Sequence, residues 1–220
     1  MKKYTIASSE SVCRTLNGGF GVCLLRDTIA YYHGDYMGGG NWRISGTLEN
    51  LICTLKNDIR PYSQEELHEK MQKLARILKS DLPAILKDCD KDSLRVCVIP
   101  RAKKEDSYRF DQLYFRGTIQ SVVNDLPEFE DGTHDIIRQL DTVTTHRAKF
   151  GYGGSGEMPY VGITKDTCSI SDEVVGKDIL LIDDLYTKSI NIDEDGIQAL
   201  YDKGARNVFF YSIGKTMLRF

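Results

Sequence analysis

Ile179-Leu180-Leu181-Ile182 runs without a break into Asp183-Asp184 and then into Leu185-Tyr186-Thr187-Lys188-Ser189-Ile190-Asn191. Few architectures accommodate such a stretch. Four consecutive apolar residues without alternation read as a strand covered on both faces, the condition of a parallel sheet. The two carboxylates end the apolar run, a short polar loop follows, and Ile192 to Lys203 is compatible with a helix. Ligands of open α/β sheets bind where a buried strand hands over to a helix. Loop N–H groups and a helix start favour anions there.

The flanking sequence has the same grammar. Leu94 to Ile99 reads as a second buried strand, and Pro100-Arg101-Ala102-Lys103-Lys104 places three cations at its end. Tyr108 to Leu126 reads as a helix with Phe110, Leu113, Ile119, Val122 and Val123 as its apolar positions. Thr142 to Thr145 is a short strand candidate, followed by His146-Arg147-Ala148-Lys149 and the glycine-rich Phe150 to Gly156. Glu173 to Lys177 turns into the opening stretch. Gly204 to Asn207 ends the following helix, and Val208 to Ile213 is a further buried strand. Strand, helix, strand, loop, strand, helix, strand predicts an α/β fold with a parallel sheet flanked by helices.

Residues 1–90 read as an N-terminal α+β elaboration before a core at 91–220. Val22 to Leu25 and Thr28 to Tyr32 suggest a hairpin across Arg26-Asp27. Gly38-Gly39-Gly40-Asn41 reads as a flexible connection, since no helix start follows it. Leu48 to Leu55 has helical character. Ser63 and Glu66 form a capping-box signature ahead of Leu67, Met71, Leu74, Ile77 and Leu78 at helical spacing, with Pro83 expected to end or kink that helix. The helix is most simply a packing element, and an oligomer or partner interface is the sharper alternative.

At 220 residues the chain suits one α/β domain with some elaboration. A net charge of −3 gives no support to non-specific binding of nucleic acid or anionic membrane. Met1-Lys2-Lys3 is not followed by the apolar run of a signal peptide, and no window has the ~20 apolar residues of a membrane span. The six cysteines contain no Cys-x-x-Cys pair, so they read as reduced structural thiols and the compartment as the cytoplasm. His33, His68 and His134 have no cluster around them.

Ile179 to Asn191 resembles the ribose-phosphate-binding motif of the type I phosphoribosyltransferases, with its hydrophobic run, two acids and a Thr-Thr-Gly-Ala-Thr kind of loop. Arg101 to Gln112, ending Tyr108-Arg109-Phe110-Asp111-Gln112, looks like the Arg-Gly-Phe-Asn-Gln neighbourhood of the ComF-type branch, and Val208 to Thr216 resembles that branch's closing strand and tail. The zinc ribbon often found ahead of that branch is missing. The resemblance covers roughly residues 94–216.

It implies a Rossmann-like phosphoribosyltransferase fold that binds phosphoribosyl pyrophosphate with Mg²⁺, passes the ribosyl phosphate to a nitrogen acceptor and releases pyrophosphate. By that resemblance Asp183 and Asp184 face the ribose hydroxyls. Thr187, Lys188, Ser189, Ile190 and Asn191 hold the phosphate. Arg101, Lys103 and Lys104 lie beside the pyrophosphate, with Asp183, Asp184 and Arg101 the catalytic set. His146, Arg147 and Lys149 belong to a lid, and residues 1–90 help form the acceptor or a partner site. A homodimer, or a subunit of a larger complex, is the implied assembly. Lys188-Ser189-Ile190 replace the glycine and small residues of the family loop. The alternative is therefore a regulatory or effector subunit that binds the sugar pyrophosphate or a nucleotide without turnover, for example in an antiviral assembly.

Overall fold

The computed structural model describes residues 1–10, 12–14, 20–22, 24–142, 163, 167–188 and 191–217. The strands in chain order are β1 (Lys2–Ile6), β2 (Val12–Arg14), β3 (Phe20–Val22), β4 (Thr28–Tyr36), β5 (Leu94–Val98), β6 (Phe129–Gly132), β7 (Ile136–Arg138), β8 (Cys168–Ile170), β9 (Asp178–Tyr186) and β10 (Asn207–Thr216). The helices are α1 (Leu48–Lys56), α2 (Gln64–Asp88), α3 (Tyr114–Asn124) and α4 (Ile192–Lys203). A six-stranded sheet has the order β1-β4-β10-β9-β5-β6, and β2-β3 and β7-β8 form two small sheets. Every neighbouring pair from β4 to β6 is parallel, and only β1 runs antiparallel, against β4.

The apolar run of β9 is buried on both faces. Leu180 and Ile182 join Leu51, Leu74, Leu78, Ile119 and Val122 under α1, α2 and α3. Ile179 and Leu181 join Ile197 and Leu200 under α4. Each such side chain contributes roughly 1.5–3 kcal/mol by leaving water, so the unalternating run belongs in the centre of a two-sided sheet. Residues 1–90 share that sheet and core. β4 lies beside β10, and α1 and α2 cover one face, so the expected division at residue 90 coincides with no break in the architecture.

The capping box is formed as expected. Ser63 Oγ accepts from the Glu66 N–H at 3.2 Å, and the Glu66 carboxylate accepts from the Ser63 N–H at 3.0 Å. Pro83 does not end the helix, which continues to Asp88. Leu82 and Ile85, both fully buried, anchor the turns around the proline and offset the backbone hydrogen bond it removes.

The expected hairpin is not formed. β4 pairs with β1 and β10, while β3 pairs with β2. Ala30 and Tyr31 are fully buried on opposite faces, which places β4 inside the two-sided sheet between β1 and β10 rather than in a peripheral hairpin. The Gly38 to Asn41 connection is pinned rather than flexible, because Glu49 accepts from the N–H groups of Met37 and Gly38 at 2.7 and 3.1 Å. Gly38 and Gly39 both have positive φ, 69° and 67°, which glycine adopts without strain. Helix α3 begins at Tyr114, later than expected, after two 3-10 turns at Glu105–Ser107 and Phe110–Gln112. Of the strand candidate at 142–145, only Thr142 lies among the described residues.

Among the described residues no helix is long and apolar enough to cross a membrane. Cys53, Cys89, Cys97 and Cys168 are free thiols. Burial pushes the thiol pKa of each up, so none is an activated nucleophile.

Candidate functional site

Strands β5 and β9 are neighbours whose outgoing connections leave on opposite faces. β5 passes through α3, which packs with Leu180 and Ile182, and reaches β6. β9 passes through α4, which packs with Ile179 and Leu181, and reaches β10. Such a divergence opens a crevice beyond the carboxyl ends of the two strands. Its walls are the segment after Val98, with Pro100 and Arg101, and the segment after Tyr186, with Thr187 and Asn191. Pro100-Arg101 and Thr187 thus follow the carboxyl ends of neighbouring strands.

Asp183 and Asp184 lie within β9, three and two residues before its end, and point to opposite faces. Asp184 faces α1, where the Lys56 ammonium meets its Oδ2 at 2.7 Å. Burial works against the Lys56 charge, but Asp184 and Asp183 outweigh it and hold the lysine pKa above its ordinary value. Asp183 faces α4 and shares a hydrogen bond with Asp193. Burial first, and then the charge of Asp184, push the Asp183 carboxyl up to about 7. Asp193, 1% exposed, is pushed up by burial and by Asp183. Two carboxyls in hydrogen-bond contact without a cation between them are stable when they share a proton.

Three acids, Asp193, Glu194 and Asp195, occupy the first turn of α4. Burial pushes all three up, Asp195 to about 7. An anion at this helix start would meet carboxylates whose charge is partly removed by protonation rather than by glycine-lined space. Asn191 opens the helix in a left-handed conformation, φ 58°. Thr187 Oγ1 lies 2.8 Å from Thr216 Oγ1, which ties the loop to the end of β10. Lys188 is exposed, and Ser189 and Ile190 lie outside the described residues.

Arg101 is at the crevice but is already engaged. Its Nη1 donates to the carbonyls of Lys56 and Gln112 at 2.9 and 2.8 Å, its Nη2 donates to Asp58, and its guanidinium lies 4.2 Å from the Tyr108 ring centre. Lys103 pairs with Asp141 at 3.6 Å, and the Lys104 N–H donates to Asp141 at 2.9 Å. Arg116, paired with Glu105 at 2.7 Å, and Arg138 also border the small cavity of about 40 Å³ behind Arg101. Arg101, Lys103, Arg116 and Arg138 therefore border one small cavity, and Arg101, Lys103 and Arg116 hold partners that an incoming polyanion would have to displace.

His146, Arg147 and Lys149 lie outside the described residues, but the residues bracketing that stretch do not. Thr142 donates through its N–H to the Ala102 carbonyl at 2.8 Å. Ile163 is buried near Ile99, and its N–H donates to Asp195. Thr142 is thereby held beside the Arg101 segment, and Ile163 beside the start of α4.

Lys56, Asp193, Arg116 and Arg138 were not singled out from the sequence. Three acids directly after the loop were the available signal for Asp193. Nothing local marks Lys56, which meets Asp184 only through the docking of α1. Among the described residues no group of three or more His, Cys, Asp or Glu side chains is arranged to hold a metal ion. The donors do not make a protein cage for Mg²⁺, and an ion here would depend on phosphate oxygens for most of its ligands. No protein-family model, curated protein or solved structure matches the chain.

Proposed function

We propose that this chain is a divergent, ComF-like phosphoribosyltransferase that takes phosphoribosyl pyrophosphate and a nitrogen acceptor and releases pyrophosphate. The observation that supports this reading most is the parallel adjacency of β5 and β9, whose connections leave on opposite faces, with Asp183 and Asp184 near the end of one strand and Arg101 just past the end of the other. In this reading Asp184 exchanges its Lys56 partner for ribose hydroxyls, and Asp183 accepts from a hydroxyl on the other side. Thr187 to Asn191 receive the terminal phosphate. Arg101, Lys103 and Lys104 face the pyrophosphate. Arg101 then trades Asp58 for phosphate oxygens, to which its planar donor fork is equally suited. The family resemblance assigns His146, Arg147 and Lys149, which lie outside the described residues, to a lid over the sugar. The positive charge developing on the sugar is stabilised by the carboxylates, with no covalent intermediate.

The second reading is a sensor that binds the sugar pyrophosphate or a nucleotide without turnover. The engaged state of Arg101 favours it, since displacing three hydrogen bonds and a ring contact suits a switch as well as a catalyst. A pyrophosphate-release assay with Mg²⁺ across a panel of nucleobases and amines separates the two. Release that depends on Asp184 and Arg101 supports the transferase. Silence across the panel, with the sugar pyrophosphate bound, assigns the sensor.

A further inference from the structure

A second cavity, of about 220 Å³, lies where the end of β1 crosses the start of α4. Tyr4, Ile6, Tyr186, Lys188, Glu194 and Lys215 line it. It stands on the α4 face of the sheet, separate from the Arg101 wall of the crevice.

Its polar groups are built in and incompletely used. Glu194 is 2% exposed. One carboxyl oxygen accepts from the Tyr186 hydroxyl at 2.8 Å, and the other, Oε2, has no hydrogen-bond partner. The Tyr4 hydroxyl is also buried without a partner. Leaving such a group unpaired costs roughly 1–3 kcal/mol. Two of them on one cavity wall describe a surface that a ligand completes. The Lys215 ammonium sits over the Tyr4 and Tyr32 rings, 5.0 and 5.4 Å from their centres. Ring faces hold a cation in place while leaving its N–H groups directed elsewhere.

A ligand matched to this wall offers an N–H donor to Glu194 Oε2, an acceptor to the Tyr4 hydroxyl and an anion to Lys215. A nucleobase with an N–H donor beside an acceptor has the first two, and its 5′-phosphate has the third. We propose that this cavity is a nucleotide site, distinct from the β5–β9 crevice. It shares Tyr186 and Lys188 with the segment leading into the loop before α4. An occupant would therefore bear directly on the loop at the crevice, whichever reaction the crevice supports.

The test is calorimetry of the full chain with AMP, UMP and ribose 5-phosphate, repeated on Tyr4→Phe and Lys215→Met. Tyr4→Phe deletes only an unpartnered hydroxyl, so its melting temperature stays level or rises, which separates lost binding from lost folding. The expected result is binding of AMP or UMP at least tenfold tighter than ribose 5-phosphate, weakened at least tenfold by each substitution and unchanged by Asp184→Asn. Equal binding of ribose 5-phosphate, binding indifferent to both substitutions, or no binding of any of the three overturns the proposal. Loss through Asp184→Asn alone would move the nucleotide to the crevice and likewise overturn it.

Discussion

Asp183 and Asp184 are adjacent in sequence and have opposite fates. Asp184 turns toward α1 and is neutralised by a cation, the Lys56 ammonium at 2.7 Å. Asp183 turns toward α4 and meets another carboxyl, Asp193, where burial favours the protonated form of both. The two faces of one strand thus solve the same problem, a carboxylate drawn out of water, by different means. The α1 face holds its charge and keeps a group that a ligand can compete for. The α4 face gives its charge up and becomes sensitive to pH.

The largest expected effect comes from removing the cation. Lys56→Met leaves Asp184 buried beside no positive charge, a change that costs about 3–5 kcal/mol when a pair is fully buried. The Lys56 side chain keeps 30% of its exposure, so water can partly replace it, and the expected loss is about 2 kcal/mol by denaturant unfolding. If the loss is negligible, the ion pair does not hold the α1 face.

Next is the double substitution Lys56→Met with Asp184→Asn. Removing both charges eliminates the orphan, so the cycle should show a coupling of about 1–2 kcal/mol in favour of the double variant. Strict additivity would contradict a direct pairing of the two residues.

The α4 face is tested by pH. A carboxyl raised in the folded state binds its proton there at pH values where the unfolded chain has released it. Stability from Asp183 and Asp195 is therefore full below about pH 4 and falls as pH rises toward 7, the folded value of each. Asp183→Asn removes that penalty. It should raise stability at pH 8 by ~1 kcal/mol and change it little at pH 4.5. An equal effect at both pH values would break the contrast between the faces. The smallest effect is expected far from either acid. Ser63→Ala removes the exposed α2 cap and costs about 0.5 kcal/mol with no change in pH dependence.

The strands and helices around this site are legible because their signals are local. Leu94 to Ile99, Ile179 to Ile182 and Val208 to Ile213 are apolar runs that only a two-sided sheet can bury, and all three form neighbouring strands. Ser63 and Glu66 announce α2 through contacts three residues apart. Where partners are remote, the local signal fails. The strand at Thr28 to Tyr36 reads locally as half a hairpin, yet its partners come from opposite ends of the chain. Lys56 ends an ordinary amphipathic helix, and only tertiary docking sets it against Asp184. Arg101 was legible as a cation at a strand end, but its engagement by Asp58 and Tyr108 was not, because those partners are assembled by folding.

We propose that the β5–β9 crevice receives a sugar pyrophosphate through Asp183 and Asp184. Titration calorimetry of phosphoribosyl pyrophosphate with Mg²⁺, on the unsubstituted chain and on Asp183→Asn with Asp184→Asn, tests it directly. The predicted result is saturable binding that the double substitution weakens at least tenfold while the chain stays folded. Binding that survives the double substitution unchanged, or no binding by the unsubstituted chain, would contradict it.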